Sequence, residues 1–411
     1  MEESPTSFTF AIFSLDKFNL HSSEYHDIIY IWKWGDKMQI TITAKIRILP
    51  DIAQSLQLKD TLSAVKKSLN YISHIVFSTK ELSQPKLHKV TYEILRHDYD
   101  LKSQMAQSAM KTVIAKYKSA KSNNHEFNKV VFKKPEYDLV WNRDYSLVKG
   151  LFSVNTLKGR VKVPFKQDGM DQYFDGSWKF GTAKLVFKHD KFFLHIPTTK
   201  EVADSPIQDI KNVVGIDLGI NFLATSYNSS NHTEFYRGRH IKHKRANYSK
   251  SRKELQQRQT SSSRRRLKLI GQRENRWMTD VNHQVSKALV DSAGQNSLLV
   301  LEDLTGIRNA TEKVQLKNRY VFVSWGFYQL RQMIEYKAVL NQSLTIAVDP
   351  RYTSQKCPQC GHTEKANRDK KNHSFTCKNC TYTSNDDRIG AMNLRNIGIE
   401  YVHAELVKQV P

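Results

Sequence analysis

The chain has 411 residues, with 64 Lys and Arg against 40 Asp and Glu, a formal net charge of +24. So large a basic excess points to a polyanionic partner, with a membrane surface as the weaker reading. No run of about 18 apolar residues is present to span a bilayer, and four cysteines without a secretory leader fit a reducing, cytoplasmic setting.

Residues 1–37 differ from the rest. They hold six acids and three lysines, a net −3, and the apolar run from Phe8 to Leu15 follows two glutamates, which makes a poor signal peptide. Met38 then opens a patterned strand. The expectation is that 1–37 is a dispensable extension and Met38 an alternative start. From Gln39 to Leu49 the period is two, with Ile40, Ile42, Ala44, Ile46 and Ile48 on one face and Thr41, Thr43, Lys45 and Arg47 on the other. From about Asp51 to Lys121 the period becomes helical: Leu58, Leu62, Val65 and Leu69, then Met105, Ala109, Val113 and Tyr117, with no glycine throughout. Strand patterns return from about Val130 to Pro197, ending in a hairpin with His189-Asp190 near its turn. Aromatics are dense there, and core packing is the favoured role over base stacking. The strand at 39–49 can join this region, which would make the helical segment an insertion.

At Val213 the run VVGIDLGINFLATSYN reads as two strands, the first carrying Asp217. A carboxylate in an apolar strand is costly unless it is paired or binds metal. Gly215 and Gly219 beside it are expected to leave room for a ligand. Between Arg237 and Arg276 there are fifteen Lys and Arg and two acids, densest at Arg264, Arg265 and Arg266, with Lys268 close behind. Self-repulsion on that scale favours a helical pair lying along a nucleic acid. A helix with Val281, Val285, Ala288 and Leu289 on one face follows. Leu298 to Leu301 is a short, continuously apolar strand of the buried parallel type, and Glu302 ends it, where open α/β sheets place active groups. Asp303 should point to the other face. A helix over Trp325–Leu340 and a strand over Leu344–Val348 complete the pattern, and Asp349-Pro350-Arg351 turns into a cysteine-rich segment.

All four cysteines fall there: Cys357, Cys360, Cys377 and Cys380, as C-x2-C, sixteen residues, C-x2-C. Two such turns can complete a tetrahedron around structural zinc, since four thiolates leave no open position. His362 and His373 are further potential ligands that four cysteines make unnecessary. Seven residues past Cys380 comes Asp387. Asp217, Glu302 and Asp387 are the carboxylates that two-metal phosphodiester hydrolysis would need on rigid elements, with Mg²⁺ or Mn²⁺ as the hard cation. Arg351 or Arg388 is expected to neutralise developing charge.

GIDLG, VLEDL, YTSQKCPQCG…CKNC and DRIGAMNL, in that order, resemble the transposon-encoded TnpB family, related to the type V CRISPR effectors. The resemblance is specific over 213–394, looser over 38–212 and absent over 1–37. It implies a multidomain α+β protein. An RNase H-like (RuvC) nuclease domain with a zinc-ribbon insert would join an N-terminal wedge β-barrel carrying a helical recognition lobe. The boundaries expected on that basis are barrel 38–50 and 129–210, recognition lobe 51–128, nuclease 211–351 and 384–411, and ribbon 352–383. The three acids would be catalytic and hold Mg²⁺, and the four cysteines would hold Zn²⁺. Arg264, Arg265, Arg266, Lys268 and Arg351 are expected to contact nucleic acid. The family's D-x-x-x-A-x-N pattern favours Asp387 over Asp386. The implied partners are a transposon-derived guide RNA and target double-stranded DNA, with no membrane and a monomeric chain. The implied activity is RNA-guided DNA cleavage beside a short flanking motif. The rival readings are a guide-loaded repressor that does not cut and an RNase H-fold transposase or integrase without a guide.

Overall fold

The computed structural model describes residues 29–34, 37–167, 169–203, 205–219, 222–303 and 326–408. Most of the expected N-terminal extension lies outside them. The chain divides into two compact units, one built mainly from Thr41–Lys200 and the other from Glu201 onward together with Ile31–Ile40.

The strand β2 (Lys37–Ile48), which belongs to the first unit from Thr41 on, buries the expected face, Ile40 through Ile48, and β1 (Ile29–Trp34) pairs with it in one sheet. The boundary expected at Met38 therefore falls inside paired strand. Three helices follow: α1 (Ile52–Thr79), α2 (Gln84–His97) and α3 (Ser103–Ser122). Asp51 starts α1 with a capping box, accepting from Gln54 N while the Gln54 side chain accepts from Asp51 N. The chain then forms β3 (Glu136–Leu139), β4 (Tyr145–Val148), β5 (Leu151–Thr156), β6 (Gly159–Val163), β7 (Lys179–Phe180), β8 (Ala183–Lys188) and β9 (Lys191–Ala203). One sheet runs β1-β2-β9-β8-β3 with β7 on β9, and a second runs β4-β5-β6. The helices α1–α3 thus lie in sequence between β2 and β3, two strands of one sheet. The β8–β9 hairpin turns at His189 and Asp190, both at positive φ (50° and 57°), which matches the twist of the strands it joins. Tyr145 and Phe152 are buried, and Phe165 and Phe174 pack beside them, so these rings fill the core.

The second unit is organised on one mixed sheet of β10 (Asn212–Asp217), β11 (Phe222–Tyr227), β12 (Thr233–Arg237), β13 (Ser297–Glu302) and β14 (Leu344–Val348), in the order β12-β11-β10-β13-β14. The first three pair antiparallel, while β13 and β14 run parallel to β10. Alternation along β10 and β13 sorts their residues. Val214, Ile216, Leu299 and Leu301 face a core shared with α5 (Ser261–Ala293) and α6 (Phe327–Leu340). Val213, Leu298 and Val300 face Leu394 of α7 (Asp386–Lys408).

The basic segment forms α4 (Arg239–Arg258) and the N-terminal half of α5. Val281 and Leu289, expected on a separate helix, continue α5, because the stretch between them and the basic turns holds no proline and a single tolerated glycine, Gly271. Glu274, 4% exposed, holds the pair together: it meets Arg245 of α4 at 3.4 Å and also pairs with Arg252. Between β14 and α7 the cysteine segment folds into a small sheet of β15 (Arg368–Asp369), β16 (Ser374–Thr376) and β17 (Thr383–Asn385). No helix among the described residues is long and apolar enough to cross a membrane.

Candidate active site

Two of the acids end neighbouring parallel strands. Ile216 pairs in register with Leu301, so Asp217 and Glu302 stand side by side one residue further on, on the face covered by α7. Helix α7 reaches that face because the contact is lined with glycine. A Cβ on Gly215 would lie 2.0 Å from the Ala391 carbonyl oxygen and 2.4 Å from the Arg395 nitrogen. One on Gly398 would lie 2.5 Å from Val300 and 2.7 Å from Val213, and one on Gly390 would lie 3.1 Å from the Asp217 carboxyl. The room expected at Gly215 for a ligand is thus taken by helix backbone, and at Gly219 by the Phe222 carbonyl, 3.0 Å from a Cβ there. Asp387, Gly390, Ala391, Leu394 and Gly398 recur at helical spacing on one side of α7. Asp387 therefore enters the site from the first turn of the helix, above the strand ends.

The electrostatics follow from this crowding. Burial, then the charges of Glu302 and Asp387, push the Asp217 carboxyl well above the usual carboxylate range. Burial also raises Glu302, opposed by a 2.7 Å hydrogen bond from the Thr353 hydroxyl and by the Arg368 charge. Burial and the adjacent Asp386 raise Asp387, opposed by Arg368 and His373. Converging carboxylates with raised proton affinity are a site that wants a cation, and their hard oxygens suit a divalent ion of the Mg²⁺ type.

Asp386 and Asp387 divide two tasks. Asp386 is fully buried and turned toward the ribbon, where it accepts from Arg368 Nε at 2.8 Å and lies 3.6 Å from His373 Nδ1. Asp387 faces the other two acids. It lies 3.8 Å from the Arg368 guanidinium, which also donates to the Ser354 hydroxyl. Asp303 points to the opposite face and pairs with Arg331 at 2.9 Å.

The cation among the acids is not one of those expected. Arg351 is exposed and pairs with Asp349. Arg388 donates to the hydroxyls of Thr233 and Ser384 and packs against the Tyr227 ring. Arg368, read in the sequence only as part of a basic loop, and Thr353 were missed. Neither carries a local signal, since both reach the acids only through the folding of the ribbon. Arg265, Arg266 and Lys268 are exposed on α5, and Arg264 donates to the Gln259 carbonyl.

The four cysteine sulfurs converge, with Cys357 and Cys380, and Cys360 and Cys377, each 3.6 Å apart. A tetrahedral ion with bonds of about 2.3 Å requires sulfurs about 3.8 Å apart, so the set fits a metal. Backbone donors complete each turn: Gly361 N to the Cys357 carbonyl and Thr381 N to the Cys377 carbonyl. His362 pairs with Glu364 instead, and His373 sits by Asp386, so neither joins the sulfurs. Asn393 of α7 donates to the carbonyls of Thr353 and Lys356, which clamps the start of the ribbon to the helix that carries Asp387.

A family model described as "Probable transposase" matches residues 195–310, and one described as "Cas12f1-like, TNB domain" matches 327–394. The chain is 27% identical over 282 residues to a CRISPR-associated endodeoxyribonuclease Cas12f1 of Syntrophomonas palmitatica, covering 63% of this chain and 54% of that one. It is 28% identical over 222 residues to a putative RNA-guided DNA endonuclease InsQ of Escherichia coli, covering 51% and 54%. A TnpB-like protein of Methanocaldococcus jannaschii is 26% identical over 243 residues, covering 57% of this chain and 84% of that protein. The chain thus spans little more than half the length of the first two.

Proposed function

We propose that this chain, a member of the TnpB family, is an RNA-guided DNA endonuclease that cuts through Asp217, Glu302 and Asp387. The observation that carries the reading is the convergence of these three acids from two parallel strand ends and one helix start. The sheet order, with three antiparallel strands followed by two parallel to the first, supports an RNase H-like (RuvC) domain. The sulfur cluster supports structural Zn²⁺ in a ribbon inserted before its last helix.

Mg²⁺ or Mn²⁺ held by the three acids would supply the activated water and the charge stabilisation of phosphodiester hydrolysis. The chain's own residues do the positioning. Thr353 fixes one oxygen of Glu302, and Gly390 lets α7 approach until Asp387 meets Asp217. Asp386 anchors Arg368, whose remaining charge faces the acids and is placed to balance negative charge on a phosphate brought there. The exposed arginines and lysine of α5 offer backbone contacts to a guide RNA or its heteroduplex with DNA. In the first unit, the helices inserted between β2 and β3 support the wedge-and-recognition reading.

The test is to purify the full chain, sequence the RNA that accompanies it, and offer guide-matched double-stranded DNA with Mg²⁺. Asp217→Ala should keep the RNA and lose cleavage. Undiminished cutting by that variant would sink the site. A protein that emerges without a specific RNA would sink the guide and favour a transposase. Guide-directed binding without cutting by the unaltered chain would favour a repressor.

A further inference from the structure

On the face of the sheet that carries the acids, one row runs from Asp217 on β10 through Thr225 on β11 to Phe235 on β12. Thr225 is fully buried, and its hydroxyl has no hydrogen-bond partner. Phe235 is 40% exposed and packs against Phe222, with ring centroids 4.8 Å apart and planes at 50°. β12 is the edge strand of this sheet. An exposed aromatic ring on an edge strand is a liability for aggregation unless something uses it. In the next row, Tyr227 and Thr233 carry Arg388: its Nε donates to the Thr233 hydroxyl at 3.0 Å, and its guanidinium lies 5.5 Å from the Tyr227 ring centre. Arg388 follows Asp387 directly. Two strand spacings, about 10 Å, separate the row's first residue from its last. An aromatic face and a cation thus stand together within a few nucleotides' reach of the acids.

We infer that Phe235, backed by Phe222 and flanked by Arg388, is a stacking subsite for a nucleobase of the single DNA strand whose phosphate lies at Asp217, Glu302 and Asp387. The inference rests on the nuclease reading and adds the course of the strand, which leaves the acids across the sheet toward the β12 edge. A ring accepts any base, because every base presents a π face. The subsite therefore fixes where the strand sits, not which sequence it carries. Arg388, already held by Thr233 and Ser384, is positioned to meet the backbone phosphate next to the stacked base.

The experiment uses the full chain with its accompanying RNA, carrying Asp217→Ala so that the strand is not consumed, and short single-stranded DNA bearing 2-aminopurine. Stacking on Phe235 quenches that base. Phe235→Ala and Phe235→Leu should abolish the quench and weaken binding roughly 5- to 100-fold, the loss expected for one aromatic stack. Phe235→Trp should retain both. Leu keeps the apolar bulk, so it separates stacking from any loss of folding in the Ala variant. Unchanged binding and quench in Phe235→Leu would overturn the subsite, even if guide-directed cleavage by the unaltered chain upheld the nuclease reading. A Phe235-dependent quench in a chain that never cuts guide-matched DNA would uphold the subsite and sink that reading. Stronger Phe235-dependent binding of the matching RNA strand than of DNA would overturn the assignment to DNA.

Discussion

Gly390 offers a sharp test of how the site is assembled. In the interior of α7, replacing glycine by alanine gains about 0.5–1 kcal/mol of helix propensity. The added methyl would lie 3.1 Å from the Asp217 carboxyl carbon and Oδ2. Ordinary carbon contacts are about 3.5–4.0 Å, so the carboxylate must retreat by several tenths of an ångström. It is the free end of a short side chain and can do so. Gly390→Ala should therefore change stability by less than about 1 kcal/mol and slow cleavage roughly tenfold, given that a displacement of about 1 Å costs on the order of 100-fold. Gly215→Ala is the contrast. Its methyl would meet backbone, at 2.0 Å from the Ala391 oxygen and 2.4 Å from the Arg395 nitrogen, and backbone cannot rotate away. Helix α7 would have to lift by more than about 1 Å, at a cost of about 3 kcal/mol or more. Single-turnover cleavage of guide-matched DNA and thermal unfolding, measured on the same preparations, separate the two outcomes. Wild-type cutting by Gly390→Ala, or wild-type stability of Gly215→Ala, would refute this account of how α7 meets the sheet.

Thr353→Val removes the hydrogen bond that opposes the upward shift of the buried Glu302 carboxyl, so that carboxyl should rise further. Cleavage is lost as pH falls through that value, so the acid limb of the pH–rate profile should move upward, with a several-fold larger defect at pH 6 than at pH 8; a uniform defect would contradict the role. Replacing Cys377 and Cys380 by serine should release zinc, measured by elemental analysis, and lower cleavage at least tenfold, because the ribbon delivers Arg368 and Thr353 to the acids. Loss of metal with unchanged cleavage would remove the ribbon from the mechanism. Glu274→Gln should destabilise the chain by about 2–4 kcal/mol in denaturant unfolding, since it removes the charge of a buried carboxylate that meets both Arg245 and Arg252. A loss below ~0.5 kcal/mol would show that the α4–α5 pair does not depend on it.

What could be read from the chain alone was whatever is periodic. The five inward residues of β2, the helical recurrence from Leu58 to Tyr117 and the apolar run of β13 each report a buried face directly, and the structure buries those faces. Alternation also separated Glu302 from Asp303, because a strand sends neighbours to opposite sides. What could not be read was the contact between segments far apart in sequence. Gly215 looked like room for a ligand because a missing Cβ signals close approach without naming what approaches, and here α7 is what comes. Arg368 sits among the ribbon's exposed basic residues in sequence. It differs from its neighbours only because β15 and the buried Asp386 turn it inward. The ribbon therefore does more than fold beside the acids. Through Asn393 it is clamped to α7, through Thr353 it holds Glu302, and through Arg368 it reaches Asp387. On the proposed reading, distorting the sulfur cluster would disturb the clamp on α7 and both contacts to the acids at once, and zinc held there would be coupled to cleavage without contributing any atom to the reaction.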